Sequence, residues 1–484
     1  MNVANESADT PVLVWFRRDL RLSDNPALTA AVKTGRPLIL LYIYETSTHR
    51  AIGGASNWWL HYSLEALAED INRLGGRLVL RRGKAGDIID EIIAGTGVSE
   101  VFWNRRYAQT ARQTDQVVME TLKLRGLKVH SFRANLLTEP WEHKTKTGGY
   151  YKVFTPYWRK VLLDAVIYPA LPKPETLKGR AANETVSSLA LEALGLLPRH
   201  NKNIPDWGAS LKPHWYIGEA GAHNALEQFL DGPVSAYSEQ RNRPDDETGT
   251  SLLSPHLAFG EISPRQIWHA AQRHGHESAK FLSEIGWREF SYVLLYFNPE
   301  LARKNFKPAF DGFSWENDPK KLKAWQTGQT GYPFVDAGMR QLWQTGWQHN
   351  RVRMVTASFL IKHLMIDWRL GEQWFHDTLV DADPASNSAS WQWVAGSGAD
   401  AAPYFRIFNP FGQGEKFDPD GAYVRKYVPE LSTLPNKYIH RPWEAPKAVL
   451  DQAGLTLGVD YPLPVIEHKF ARERALARYK ASKT

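Results

Sequence analysis

The chain has 484 residues, 43% hydrophobic and 23% charged, with a formal net charge of +7. That is enough apolar material for two or more packed cores and too much for a disordered chain. Cysteine is absent, which excludes disulfides, thiolate metal sites and cysteine nucleophiles.

Residues 1–10 are polar and acidic and lack the apolar core of a secretion signal. No uncharged run approaches a membrane span, and a cytoplasmic, monomeric protein is expected. From residue 12 onward, short apolar runs at 12–16, 38–44, 78–81, 101–103 and 129–132 read as strands. The clearest helix between them covers 56–74. Leu60, Leu64, Leu67, Ala68, Ile71 and Leu74 recur there at helical spacing, and Gly75-Gly76 stops it. Five strands alternating with helices predict a Rossmann-like α/β domain over 10–140, with a parallel five-stranded sheet covered on both faces. Residues 141–214 contain proline-rich stretches such as Tyr168-Pro-Ala-Leu-Pro-Lys-Pro174, and are expected to form a long irregular linker. From 215 to 484 the pattern is helical, as at 350–368, and predicts an all-α domain.

The positive charge suits a polyanionic partner but is spread along the chain, so a nucleic-acid face must be assembled by folding. Of the 19 Trp, twelve lie after residue 210. Trp fills large helical cores, and it also stacks on planar ligands or carries electrons. Gly396-Ser-Gly398-Ala-Asp-Ala401 matches a relaxed dinucleotide fingerprint, but it follows a Trp-rich segment instead of a strand, so context rejects it. His269, His274 and His276 lie close together without supporting carboxylates, and no metal site is expected.

Three stretches carry chemistry. Tyr237-Ser-Glu-Gln-Arg241 leads into Gly249-Thr-Ser-Leu-Leu-Ser-Pro-His-Leu-Ala-Phe-Gly-Glu261. The hydroxyls of Thr250, Ser251 and Ser254 suit a phosphate cradle at a helix start, or an ordinary helix cap. In Glu284-Ile-Gly-Trp287-Arg288-Glu289-Phe290 an acid, an aromatic and a cation at i, i+3 and i+4 share one helical face. That face suits a nucleobase edge beside a stacking surface, or an exposed ion-paired helix. The third stretch comprises Gly346-Trp-Gln-His-Asn350-Arg351-Val-Arg353-Met354, Asp367-Trp368-Arg369 and Asp381-Ala-Asp383-Pro-Ala-Ser-Asn387-Ser-Ala-Ser-Trp391-Gln-Trp393. It sets many polar groups among aromatics, and such groups are costly to bury without a partner or ligand.

These blocks are joined by Trp15-Phe-Arg-Arg-Asp-Leu-Arg21 near one end, and by Phe405-Arg-Ile-Phe-Asn-Pro410 and Gly414-Glu-Lys-Phe417 near the other. In order and spacing they resemble the photolyase/cryptochrome family over nearly the whole chain. The resemblance implies an N-terminal α/β antenna domain and a helical domain, 215–484, that holds a folded-back FAD and binds the DNA lesion. It places Asn387 opposite flavin N5, where plant cryptochromes carry Asp and many animal cryptochromes Cys. Asn350 and Met354 stand where (6-4) photolyases place His. A bacterial cyclobutane pyrimidine dimer photolyase is therefore implied, of class III, with class I next. Its reaction would be light-driven repair of dimers in DNA, by electron transfer from excited reduced FAD to a flipped-out dimer.

By the same resemblance, Glu284 and Asn350 hydrogen-bond the dimer, Trp287 and Trp393 wall its pocket, and Met354 lines it. FAD contacts fall on Tyr237, Thr250, Ser251, Leu252, Leu253, Ser254, Glu284, Trp287, Arg288, Asn350, Arg353, Asp381, Asp383 and Asn387. Trp391, Trp368 and Trp315 match a three-tryptophan electron chain, from flavin to surface. Arg241 and Arg351 are the expected contacts to DNA phosphates near the lesion. Two departures from the family's patterns stand out. Leu252 stands where many class I members have Arg. Thr110 and Ala111 follow Asn104-Arg-Arg-Tyr107, where many folate-binding members have Asn-Glu. The expected antenna is 5,10-methenyltetrahydrofolate, with a deazaflavin or an empty site as alternatives. The other functional reading is a cryptochrome-like blue-light photosensor without repair, which the lack of a long tail after the 405–417 blocks disfavours.

Overall fold

The computed structural model describes residues 9–46, 50–179, 184–199 and 206–482. Strands run over Val12–Phe16 (β1), Leu38–Glu45 (β2), Leu78–Gly83 (β3), Glu100–Asn104 (β4) and Lys128–Phe132 (β5). They form one parallel sheet in the order β3-β2-β1-β4-β5. Trp15 on the central strand faces Leu41 on one side and Trp103 on the other. A parallel sheet covered on both faces needs apolar residues at consecutive positions, and every residue of β1 is buried. The covering helices are α1 (Pro26–Val32), α2 (Gly54–Arg73), α3 (Ala85–Thr96) and α4 (Gln109–Leu124). The α/β half thus has the architecture that its sequence pattern predicts.

Residues 141–214 are not irregular throughout. Phe154–Asp164 forms a helix, α5, with Phe154, Tyr157, Trp158 and Val161 buried on its inner side. Pro156 lies in its first turn, where a missing N–H costs nothing, so the proline does not prevent the helix.

The helical half includes α6 (Ser254–Phe259), α7 (Ala279–Phe297), α8 (Asn350–Ser358), α9 (Trp368–Thr378) and α10 (Pro384–Ala395). The stretch 350–368 reads as one helix in sequence but is interrupted. After α8 the backbone makes a π turn over Phe359–His363. Met365 then adopts φ 56°, and the Asp367 side chain caps α9 by accepting the Arg369 N–H at 3.0 Å. Among the described residues, no helix is long and apolar enough to cross a membrane.

Buried polar contacts join the two halves. The Glu219 carboxylate accepts the backbone N–H groups of Leu22 and Ser23 at 2.7 and 2.9 Å. Trp59 Nε1 donates to Glu261 at 2.8 Å, and Arg265 pairs with Asp24 at 2.7 Å. The α5 helix packs directly on α7. Trp158 lies so close to Gly286 that a Cβ there would sit 2.6 Å from its ring. Phe154 stacks on Trp287 with centroids 3.9 Å apart and planes 11° apart, which fixes the Trp287 indole.

Next to Trp287 and Arg288, Glu289 turns inward and accepts the Leu137 and Thr138 N–H groups at 2.9 and 3.2 Å. Burial pushes its carboxyl up to about 7, against the opposing pull of Arg288 and those two amides. The folded value lies above the unfolded one. Its contribution is therefore full at acid pH and lost as pH rises from the ordinary carboxylate range through about 7. Glu289→Gln keeps an acceptor for the two amides and removes this titration. The variant should gain on the parent across that window, by roughly 3 kcal/mol at most. Urea denaturation at pH 5 and pH 8 measures the difference, and an equal stability gap at both would contradict it.

Candidate active site

A cavity of about 520 Å³ opens between α7, α8 and α10, within the range of small-molecule and cofactor sites. Glu284, Trp287 and Arg288 reach it from α7, Asn350, Arg353 and Met354 from α8, and Asn387, Trp391 and Trp393 from α10. Tyr237, Arg241, Ser251, Leu253, Ser254, Asp381 and Asp383 complete the set of expected residues that line it. Thr250, Leu252, Arg351, Trp368 and Trp315 are not among its lining residues. Leu252 nevertheless marks the loop beside the cavity, because it holds a left-handed backbone (φ 51°) that a leucine adopts only under constraint.

On α7 the shared face forms one wall. Glu284 pairs with Arg241, and with Lys280 at 3.0 Å. Burial pushes the Glu284 carboxyl up, but the hydrogen bond and charge of Arg241, helped by Lys280, outweigh it and hold the group below the usual carboxylate range. Glu284 is thus an acceptor-only carboxylate at the cavity wall. Arg241 is turned inward to Glu284, with its side chain 13% exposed, instead of standing open toward solvent as a phosphate contact would. Arg351 sits outside the cavity, where it donates to Asn242 at 2.6 Å and lies over the Phe417 ring at 4.5 Å.

The opposite wall is built from ion pairs and a capped helix. Arg353 Nη2 donates to Asp381 Oδ2 at 2.8 Å, while Asp381 Oδ1 is buried without a partner. Asp383 caps α10 by accepting the Ala385 and Ser386 N–H groups at 3.0 and 2.7 Å, and it also accepts the Tyr292 hydroxyl at 2.5 Å. Asn387 lies one turn inside α10, so it is not the cap. Its Nδ2 donates to the carboxylate and the backbone carbonyl of Glu372 at 2.9 and 3.1 Å.

Trp391 lies at the back of the cavity, 2% exposed, with Phe375 and Trp325 edge-on to its ring at 5.0 and 6.2 Å. Trp368 is fully buried in the same apolar cluster and donates Nε1 to Asn305 at 3.0 Å. Trp315 packs at the edge of that cluster against Phe313. All three belong to, or pack against, one apolar cluster, and of them only Trp391 lines the cavity.

Residues 12–175 match the family model described as DNA photolyase, and residues 281–481 match that described as the FAD-binding domain of DNA photolyase. The chain is 54% identical to the deoxyribodipyrimidine photo-lyase of Agrobacterium fabrum, over 98% of each chain. It belongs to the photolyase/cryptochrome family. It superimposes on the crystal structure of a class III photolyase from Agrobacterium tumefaciens with a TM-score of 0.95, at 53% identity and over the full length of both chains. It is also 38% identical to cryptochrome-1 of Arabidopsis thaliana, over 96% of this chain and 69% of that protein. The cofactor of the family's helical domain is FAD, and the cavity suits it. The orphaned Asp381 oxygen, the hydroxyls of Ser251 and Ser254, the Arg353 and Arg288 cations and the Trp391 ring supply acceptors, phosphate partners and a flat wall.

Among the residues that sequence reasoning missed are three that hold lining residues of this site in place: Tyr292, Glu372 and Arg50. Tyr292 lies one turn beyond Arg288 on the same α7 face, so helical spacing could have found it. Glu372 and Arg50 carry no local signal, and only folding brings them together with Asn387. A glycine fixes the position of Trp391. A Cβ on Gly371 would lie 2.2 Å from its ring and 2.6 Å from Leu360. Gly371→Ala should cost about 1–3 kcal/mol by overpacking and lower FAD content. Chemical denaturation of the apoprotein and flavin absorbance of the purified protein check both effects.

Proposed function

We propose that this protein repairs cyclobutane pyrimidine dimers in DNA in a light-driven reaction, with FAD in the cavity and the lesion at its mouth. The observation that carries this reading is one cavity joining Glu284, Asn350, Met354, Trp287 and Trp393 at one part to Asn387, Asp381 and Arg353 at another. A lesion edge and a cofactor can thus share a single open cavity. FAD, when bound and fully reduced, supplies a light-excited electron to the dimer and takes it back after the ring has opened.

The residues of the chain bind and orient. Glu284, kept as a carboxylate by Arg241 and Lys280, accepts the imide N–H of a dimer base, and the Asn350 amide completes that edge. Trp287, held by Phe154, and Trp393 cover the faces of the flipped-out bases, and Met354 fills the gap between them. Extruding bases from a duplex costs about a few kcal/mol, and least for a damaged site such as a dimer, whose stacking is already weakened. Arg351 meets a backbone phosphate. Arg241 serves Glu284 first, and reaches a phosphate only if that pair opens. Trp391, Trp368 and Trp315 relay electrons from the surface to the cavity.

An antenna, 5,10-methenyltetrahydrofolate, is the second chromophore we propose. The carboxyl edge of the sheet at the β1–β4 switch supports a ligand there, since open parallel sheets bind at such points. Trp15 Nε1 and two nitrogens of the buried Arg17 lack partners at that edge.

The test is a repair assay. The protein, chemically reduced without oxygen, is mixed with an oligothymidylate carrying a dimer and exposed to blue light. Recovery of base absorbance in the light and not in the dark is expected. No recovery, with flavin still responding to light, would favour the photosensor reading that the cryptochrome likeness brings.

Glu284→Gln and Glu284→Ala should weaken binding of damaged DNA by about 1.5–3 kcal/mol, the usual value of a hydrogen bond to a charged group, and leave bound FAD in place. Titration of damaged against undamaged oligonucleotide measures this, and equal affinities in parent and variants would remove Glu284 from the lesion site. Trp391→Phe keeps a ring of similar shape, so the fold should survive with at most about 1.5 kcal/mol lost. Phe is far harder to oxidise than Trp. Reduction of FAD by light plus an external donor should therefore nearly stop, while repair by chemically reduced protein persists. A variant photoreduced as fast as the parent would break the proposed chain.

A further inference from the structure

Asn387 reaches the cavity with one end of its amide already committed. Its Nδ2 donates to Glu372 twice, to Oε1 at 2.9 Å and to the backbone oxygen at 3.1 Å. A carboxylate and a carbonyl only accept, so the NH2 end must face Glu372 and the Oδ1 end is left for the cavity. Glu372 itself is held from the other half of the chain. Arg50 grips it at both oxygens, Nη1 to Oε1 at 2.9 Å and Nη2 to Oε2 at 2.7 Å. Glu372 is 1% exposed and Arg50 32% exposed, so the guanidinium closes the solvent side of a buried carboxylate. Ser388 Oγ adds a third donor to Oε1 at 3.3 Å.

The segment that carries Arg50 is docked on the end of α9 by contacts of its own. His376 Nε2 donates to the Ala51 carbonyl at 2.9 Å, and Gly54 N–H donates to Asp377 at 2.8 Å. Gly53 approaches α9 so closely that a Cβ would lie 2.0 Å from the His376 carbonyl oxygen. The grip on Glu372 is therefore made by an anchored residue and not by a loose surface arginine.

We propose that Arg50, from the α/β half, is a positioning residue for the cofactor edge of the cavity. Acting through Glu372, it fixes the Asn387 amide with Oδ1 toward the ligand. This rests on the reading that FAD sits with its N5 edge at Asn387. An acceptor fixed there favours the cofactor form that carries an N–H at that edge, the reduced one, over the oxidised form, which offers only an acceptor. Without Arg50 the two-point grip is lost and the Glu372 carboxyl is free to turn. Once it turns, only the Glu372 backbone oxygen still holds the Asn387 NH2 end, and the amide is fixed less firmly.

The test is the reduction midpoint potential of FAD in the purified holoprotein, measured by spectroelectrochemistry in four variants. Asn387→Ala and Arg50→Met are both expected to lower it, by about a tenfold loss of preference for reduced FAD, which is about 30 mV for a two-electron couple. Arg50→Lys keeps the charge but cannot grip two oxygens, and should fall between Arg50→Met and the parent. Asp377→Ala loosens the same segment while leaving Arg50 and Glu372 in place, and should keep the parent potential. A parent-like potential in Arg50→Met, with Asn387→Ala shifted, would overturn the inference and leave the FAD reading standing. An equal shift in Asp377→Ala would overturn it as well, because general loosening would then suffice. No shift in Asn387→Ala would remove Asn387 from the flavin edge and take both with it. Should Arg50→Met fail to hold FAD, Arg50→Lys decides alone, and a parent-like value there counts against the role.

Discussion

Charges removed from water must be paired, and the cavity of this protein is framed by such pairs: Arg353 with Asp381, Arg241 with Glu284, and Arg50 with Glu372. Each pair ties two segments that are distant in sequence, so together they hold the walls at a fixed separation. Each also leaves something over. Asp381 keeps one buried oxygen without a partner, Glu284 keeps its place on the cavity wall, and Glu372 directs the amide of its neighbour Asn387. A polar network that is incomplete by itself, inside an otherwise close-packed helical core, is the physical reason to expect a ligand with many donors and acceptors.

Pairing also separates the roles of residues that look alike in sequence. Arg241 and Arg351 carry the same expectation in sequence, contact with a DNA phosphate, yet one is committed to a carboxylate and the other to an amide and an aromatic face. Asp381 and Asp383 lie two residues apart. One answers a cation, and the other caps a helix and holds a tyrosine hydroxyl. Preorganised groups of this kind lose little freedom when a ligand arrives, which suits a site that must hold two flat molecules in register.

The sheet was legible because its signal is local. Apolar runs of strand length between helices define β1 to β5, and burial on both faces makes those runs continuous. The face of Glu284, Trp287 and Arg288 was legible for the same reason, from spacing along one helix. What failed was local evidence that tertiary packing overrides. α5 was hidden because the proline-rich stretch at 168–174 set the expectation for all of 141–214, although it lies beyond the helix, and Pro156 within α5 is tolerated in the first turn. The break between α8 and α9 was hidden by apolar residues that suit a helix but here enter a π turn and a left-handed step. Arg50 and Glu372 lie 322 positions apart, and no pattern in either neighbourhood announces the other. Family resemblance supplied the expected roles of Asn387 and Asn350, but it did not say what holds the Asn387 amide in place.

A crystal structure of the reduced holoprotein with a dimer-containing oligonucleotide tests most directly whether the unfinished polar network is completed by FAD on one side and a flipped dimer on the other. The expected result has Asp381 Oδ1 and Asn387 Oδ1 accepting from the flavin. Glu284 and Asn350 should meet the dimer edge, with Trp287 and Trp393 against its faces. A dimer bound elsewhere on the surface, with Glu284 still closed on Arg241 and the Asp381 oxygen met by a protein group, would contradict it.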